Sequence, residues 1–437
     1  MNRASSASSF KKSLDALSVQ NSSEARFGGR PHVGKALGGT AAVIGVVCLL
    51  RLIVASENVG AVAAIGDAVA WSSPQAKWGD VPCGGGEKAP PVDASARVLV
   101  TGAAGFIGSS LMASLGARDK ATRPKVIVGL DSFNDYYAIS MKDARAARLK
   151  ADYGLDVVRA DVCNASLISA LFDEHDFTHV VHLAAQAGVR YSITHPMTYV
   201  HNNLECVVSL IDFVSTRKKQ PHYVYASSSS VYGLNKKIPF SELDPITHPA
   251  NLYGTSKYTN EQMAGAYHNI HGLKSVGLRF FTVYGPWGRP DMSVYLFTNK
   301  IEKGETITVY NNGDMWRDFT YVDDIVNGIE RSMEYCADNA AVFNLGNSKP
   351  VKLDYFLKTL EGELAGPKTK IHYEKSNAEI KETYADVSKA NELLGYEPKV
   401  SIEAGVKSFM AWYKSQSVAT RNDWAGGRFK GGRKRRR

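Results

Sequence analysis

Arg97-Val98-Leu99-Val100-Thr101-Gly102-Ala103-Ala104-Gly105-Phe106-Ile107-Gly108 decides the fold. A short apolar run ends in a glycine-rich turn, and the turn opens an amphipathic segment, Ile107–Leu115. Gly102 and Gly105 let the backbone turn tightly and approach a pyrophosphate, and Gly108 lets the helix lie close to the sheet. The unpaired N–H groups of the first helical turn then face the phosphates. A glycine pattern alone is common, so the context carries the weight. The next apolar run ends in Asp131, 23 residues after Gly108. A carboxylate there accepts both ribose hydroxyls and repels a 2′-phosphate, which favours NAD over NADP. Asp161-Val162, after the third run, falls where an adenine edge would lie.

Similar short runs recur at 126–130, 156–159, 179–183, 223–226 and 275–280. Between them lie segments of helical length at 107–115, 138–149, 167–172, 204–215 and 256–271. Alternation of this kind, with continuously apolar strands, predicts an α/β fold: a Rossmann-type doubly wound parallel sheet covered on both faces. We expect the NAD-binding domain over 96–275 and a smaller C-terminal substrate-binding region over 276–420, some of whose late segments return to the first domain. Met410–Tyr413 reads as the core of a terminal helix.

Outside this body the texture changes. Residues 1–35 are Ser-rich and basic and read as a disordered tail. Ala36–Leu50 carries no charge, and the run resumes after Arg51 to Ala55. About 20 such residues suffice to cross a hydrocarbon core, so 36–55 is expected to be a single transmembrane anchor, with a late signal sequence or an organelle transit segment as the alternatives. Basic residues precede it, which keeps the N-terminus cytoplasmic and the body lumenal. Residues 56–95, rich in Ala, Gly and Pro, read as a stem, and 421–437 as a basic tail.

Composition excludes other classes. The chain has 437 residues, 44% of them hydrophobic, and a net charge of +9. Residues 426–437 contribute seven basic side chains and no acid, and residues 1–35 a net +4, leaving −2 for 36–425. A near-neutral body disfavours a nucleic-acid groove. The five cysteines form no CxxC pair, so free, buried thiols are expected rather than a disulfide framework or a zinc site. His175, His179 and His182 straddle a strand start without completing a ligand set, and no metal is expected.

The chemistry is expected at Tyr253-Gly254-Thr255-Ser256-Lys257. Spacing of four at a helix start puts Tyr253 and Lys257 on one face. An ammonium beside a phenol stabilises phenolate, lowers the pKa and makes the tyrosine a general base. Ser227-Ser228-Ser229-Ser230 ends a strand at the carboxyl edge of the sheet, where ligands sit in such folds. A serine hydroxyl there can bond the oxygen whose proton Tyr253 takes.

These residues resemble the nucleotide-sugar epimerase/dehydratase group of the extended short-chain dehydrogenases/reductases over roughly 96–415. The supporting blocks are His182–Ser192, Ser227–Gly233, Arg279–Met292 and Arg317–Asp324, and they are most similar to those of the group's UDP-glucuronate 4-epimerases. The resemblance implies bound NAD and a UDP-sugar substrate. It implies that Tyr253 takes the O4 proton while C4 gives its hydride to NAD, and that the 4-keto sugar turns over before the hydride returns. Carried over by position, Phe106, Ile107, Asp131, Asp161, Val162, Leu183, Ala184, Ala185, Asn202, Ser227, Tyr253 and Lys257 line NAD beside the glycine turn. Ser228 matches the catalytic Ser/Thr, while Arg289 and Arg317 suit the pyrophosphate. The anchor resembles that of the plant members, which implies the Golgi. A homodimer is allowed by the sequence and not required by it.

Glucuronate oxidised at C4 is a β-keto acid and tends to lose its carboxylate. An epimerase must hold that group, and Thr282, Ser228, Ser229, Ser230 and Arg190 are the candidates. The group's dehydratases, and usually its decarboxylases, place acid where this chain has serines, which disfavours both chemistries. A UDP-glucose 4-epimerase and a catalytically silent, membrane-tethered NAD-binding scaffold remain the rival readings.

Overall fold

The computed structural model describes residues 89–335, 339–364, 369–374 and 381–427. The expected tail 1–35, anchor 36–55 and most of the stem lie outside them. At its heart are seven strands: β1 (Arg97–Thr101), β2 (Val126–Asp131), β3 (Val157–Arg159), β4 (His179–His182), β5 (His222–Ser228), β6 (Ser275–Phe280) and β7 (Ala340–Leu345). They form one parallel sheet in the order β7-β6-β5-β4-β1-β2-β3. Leu99 stands opposite both Val128 and Val180, which fixes the register of the centre.

Side chains alternate across the sheet, so each strand feeds two cores. Val98 and Val100 pack with α1 (Phe106–Ala117), α2 (Ile139–Tyr153) and α6 (Val322–Met333). Leu99 packs on the opposite face with α3 (Ala165–His175), α4 (Cys206–Ser215) and α5 (Leu252–His271). Burial on both faces is why the strands read as unbroken apolar runs. Because β1 has β2 on one side and β4 on the other, the chain reverses its direction of winding there. The crevice opens at the carboxyl ends of β1 and β4, as ligand sites do in this architecture.

Residues beyond β6 do not simply build a second body. β7 pairs with β6 over six residues, and α6 covers the sheet. A parallel pair, Thr282–Tyr284 with Phe319–Tyr321, extends from this edge towards the crevice. Asp318, fully buried, accepts N–H groups from Asn347, Ser348 and Ala385 at 2.6–3.0 Å, while its carbonyl accepts the N–H of Thr282 at 3.1 Å. One carboxylate thereby positions Arg317 and Thr282, its neighbours in sequence and sheet.

Three expectations need correction. The expected stem runs to residue 95, yet Val92 is buried and the Pro90 carbonyl lies 3.0 Å from His179 Nε2, so the body begins earlier. The expected tail starts at 421, yet Val418–Gly426 is a helix that buries Arg421 and Trp424. Trp424 stacks on Trp412 at 6.1 Å, and Trp287 lies 5.4 and 5.8 Å from the two rings, an apolar gain that a basic composition conceals. Free thiols were expected, yet Cys163 and Cys206 form a disulfide across 43 residues. Met410 and Tyr413 do lie in the core of helix Ile402–Ser415.

Candidate active site

The crevice at the carboxyl ends of the strands holds a cavity of about 870 Å³. Every residue assigned to cofactor or sugar from the sequence lines it. The glycine turn forms one end. Gly102 sits at φ +71°, a conformation that favours glycine, and a Cβ there would stand 2.8 Å from the Ala184 nitrogen. A Cβ at Gly108 would run into the Gly102 carbonyl. Gly105 caps α1 without any side-chain bond, so the first N–H groups of that helix have no side-chain acceptor there. This cradle, closed to any larger residue and ending in a helix N-terminus, fits a dinucleotide pyrophosphate.

Asp131 is buried at the tip of β2. It accepts N–H groups from Ala104 at 3.1 Å and Phe133 at 2.8 Å, and Lys142 Nζ lies 3.7 Å away. Its carboxylate is thereby fixed where ribose hydroxyls would arrive. Asp161, Val162 and Asn202 form the far wall. Gln186, on the loop after β4, is held by the buried side chain of Asn203, which accepts its N–H at 2.8 Å and donates to its carbonyl at 3.0 Å. Asn203 also donates to Ser256 Oγ at 3.0 Å, which ties this loop to the catalytic helix.

At the other end, α5 begins at Leu252, with Asn251 capping it by accepting the Gly254 N–H at 2.8 Å. Tyr253 and Lys257 therefore fall in its first two turns and point into the crevice. Lys257 Nζ donates to the Ala226 carbonyl at 2.8 Å. Burial holds the Lys257 pKa down at about 8, against the pull of the Glu261 carboxylate. For Tyr253, burial raises the pKa, while a hydrogen bond with Ser228 and the charge of Arg289 oppose it. Lys257 was expected to be what lowers it. The Lys257 ammonium donates to a backbone carbonyl, and the groups that oppose the rise are Ser228 and Arg289. Ser228 Oγ also accepts the Ser230 N–H at 3.2 Å, which fixes the hydroxyl at the strand end.

The remaining residues arrive already engaged. Arg289 spends Nε and Nη2 on Asp291, with Nε···Oδ1 at 2.9 Å, beneath the Tyr136 ring. Arg317 donates to the carbonyls of Trp316 and Lys381 at 2.8 and 3.3 Å. Arg190 lies 5.2 Å from the centre of the Tyr310 ring. Ser227 turns its hydroxyl to Glu261 at 2.5 Å. Thr282, half-buried, and Ser229 and Ser230 line the cavity between Tyr253 and these arginines.

Sequence reasoning missed Glu261, Asn203, Tyr136 and Asp291. Glu261 is legible in hindsight as the next residue at a spacing of four after Lys257; the others depend on contacts distant in the chain. The histidines once considered for metal are engaged elsewhere: His179 contacts Thr178 and Pro90, and His182 Nδ1 lies 2.8 Å from Thr101 Oγ1. Among the described residues, the grouping able to ligate a metal is Cys163, His201 and Cys206, within 4.8 Å of one another. Its two sulfurs are bonded to each other.

Residues 98–346 match the NAD dependent epimerase/dehydratase family. UDP-glucuronate 4-epimerase 3 of Arabidopsis thaliana is 45% identical over 333 residues, covering 72% of this chain and 76% of its own length. UDP-glucuronic acid 4-epimerase from Bacillus cereus, solved in complex with UDP-glucuronic acid and NAD, superposes with a TM-score of 0.67 at 33% identity. That match covers 73% of this chain and 99% of that one. A variant of the same enzyme, with one tyrosine changed to phenylalanine and UDP-4-deoxy-4-fluoro-glucuronic acid and NAD bound, matches at 0.67 and 32%, with the same coverage.

Replacing the carboxylate beside Lys257 should be visible in a pH profile. Glu261 raises the Lys257 pKa, so Glu261→Gln leaves burial less opposed and the ammonium loses its proton at lower pH. The alkaline limb of kcat/KM should move to lower pH in the variant. A limb that stays in place would show that protonated Lys257 does not govern it.

Proposed function

The chain belongs to the NAD-dependent epimerase/dehydratase family, and from that premise we propose that it interconverts UDP-glucuronate and UDP-galacturonate by NAD-dependent epimerisation at C4. The observation that carries this reading is the meeting of Tyr253, Ser228 and Lys257 with the glycine cradle in one cavity, beside a wall of hydroxyls where dehydration would need acid. Relatives named UDP-glucuronate 4-epimerase support the same substrate at 43–45% identity.

NAD, when bound, supplies a reversible hydride acceptor for C4. The chain does the rest. Gly102, Gly105 and Gly108 admit the pyrophosphate, Asp131 holds the ribose, and Asp161, Val162 and Asn202 close on the adenine end. Phe106, Ile107, Leu183, Ala184 and Ala185 complete the lining and keep water out. Tyr253 removes the O4 proton and later returns it. Ser228 passes its hydrogen bond between the phenol and the sugar oxygen, and Arg289 favours the phenolate that forms. Lys257, braced on Ala226, keeps the tyrosine's face of the helix in place. Arg289 and Arg317 reach the UDP phosphates, onto whose oxygens a guanidinium forks. Thr282, Ser229, Ser230 and Arg190 hold the uronate carboxylate, so the 4-keto sugar turns over without losing it.

We also propose that Ala36–Ala55 anchors the chain in a membrane with the body on the lumenal side, in the Golgi. The support is the charge-free run of 36–50 and the basic residues ahead of it. Full-length protein should sediment with membranes and resist carbonate, and removal of residues 1–56 should make it soluble. Extraction of the intact chain by carbonate would contradict a span.

Tyr253→Phe removes only the phenol oxygen. Turnover of UDP-glucuronate should fall by roughly a hundredfold to ten-thousandfold, while NAD stays with the purified protein. Undiminished activity would remove Tyr253 as the base.

Thr282→Val keeps the volume and loses a hydrogen bond to a charged group, an interaction of about 1.5–3 kcal/mol. UDP-glucuronate turnover should drop roughly tenfold to a hundredfold, with more decarboxylated 4-keto-pentose formed, and any UDP-glucose turnover should change less. Equal losses on the two sugars, without extra decarboxylation, would remove Thr282 as the carboxylate contact.

A further inference from the structure

The Cys163–Cys206 disulfide joins two parts of the cavity wall. Cys163 follows Asp161 and Val162 on the loop after β3, and Cys206 heads α4, directly after the π-helical turn His201–Glu205 that carries Asn202. Asp161, Val162 and Asn202 all line the cavity. The bond therefore clamps the loop to the helix at the place where a cofactor would have to pass. Asp161 is also chemically coupled to it. Its Oδ1 accepts the Cys163 N–H at 2.9 Å and stands 3.9 Å from Cys206 Sγ.

We infer that this disulfide is a reducible latch on the NAD site, opened by a dithiol and closed by its oxidised form. The inference rests on the reading of this cavity as the NAD site. The two sulfurs differ in a way that sets the order of events. Cys206 is fully buried, whereas Cys163 is only half-buried and is the sulfur that an attacking thiolate reaches. One thiolate of the dithiol bonds to Cys163 Sγ, the Cys163–Cys206 bond breaks, and Cys206 leaves as a thiolate. The Cys206 thiolate takes its proton from water; His201 Nε2 lies 3.9 Å from that sulfur, and its Nδ1 is bonded to Glu205 at 2.8 Å. The second thiolate of the dithiol then attacks its own sulfur in the mixed disulfide and releases Cys163, which is protonated from water. Two electrons and two protons pass to the chain, and the reductant becomes a disulfide.

Reduction changes the wall twice. The covalent tie between the loop and α4 is lost, and Cys206 gains an S–H aimed at Asp161 Oδ1. A carboxylate engaged by that thiol is drawn from the cofactor side of the wall. Both effects act on retention of NAD.

The test uses the full chain purified with its NAD and equilibrated in dithiothreitol or in its oxidised form. Release of NAD is followed by chromatography, and the state of Cys163 and Cys206 by alkylation and mass spectrometry. The latch predicts that NAD leaves the reduced chain roughly tenfold faster, a difference of about 1.4 kcal/mol. It also predicts that Cys206→Ser and Cys163→Ser each release NAD at the fast rate in both conditions. Equal release from the reduced and oxidised parent overturns the latch and leaves the cofactor reading standing. So does a serine variant that still responds to dithiothreitol, since the remaining cysteines would then carry the effect. Absence of NAD from the parent in both states overturns the cofactor reading and the latch with it.

Discussion

Glu261 brings a carboxylate into the interior under the carboxyl end of the sheet, and the catalytic end of the molecule hangs on what it meets there. Arg279 on β6 grips it with Nε and Nη2 at 2.9 and 2.7 Å, and Ser227 on β5 donates to it at 2.5 Å. Arg279 passes on to the Tyr232 hydroxyl at 3.0 Å, and that hydroxyl to Asn344 on β7 at 2.6 Å. Both charges are almost wholly removed from water. An ion pair so placed is justified only when its bonds are complete, and removing one partner costs about 3–5 kcal/mol. Here completeness means that α5 can sit in one position on three adjacent strands. Tyr253 and Lys257, two turns and one turn before Glu261 on the same helix, inherit that position.

The cavity's two ends are joined through the same helix. Asn203 pairs with Gln186 like a short strand, reaches Ser256 beside Lys257, and has its carbonyl taken by Asn260 at 2.6 Å. The loop after β4, which borders the glycine turn, thus shares a support with Tyr253. Asp318 plays the matching part beside Thr282, gathering three N–H groups from two separate segments. Orientation is the main thing such supports supply, since a reacting group displaced by an ångström loses much of its effect.

Much of this was legible in the sequence because it depends on local rules. The glycine turn declared itself by spacing, and Asp131 by its distance from that turn. The YxxxK pair showed a shared helical face, and unbroken apolar runs showed strands buried on both sides. What escaped depends on partners distant in the chain. β7 is recognisable as a strand only once β6 lies beside it. The Cys163–Cys206 bond needs the loop after β3 and the head of α4 to meet. Trp424 reads as part of a basic tail until Trp412 and Trp287 are seen to receive it. The bond from the Lys257 ammonium to the Ala226 carbonyl also escaped, because spacing along a helix does not reveal a contact to a strand 31 residues away.

The central claim is that C4 of the sugar is oxidised and reduced within one closed cavity, with Tyr253 moving only the O4 proton. UDP-glucuronate carrying deuterium at C4, incubated with the full chain and bound NAD alone, tests it most directly. The account predicts UDP-galacturonate that keeps the deuterium at C4, with no loss to water. Product that has exchanged its C4 label with solvent, or no galacturonate at all from a chain shown to hold NAD, would contradict it.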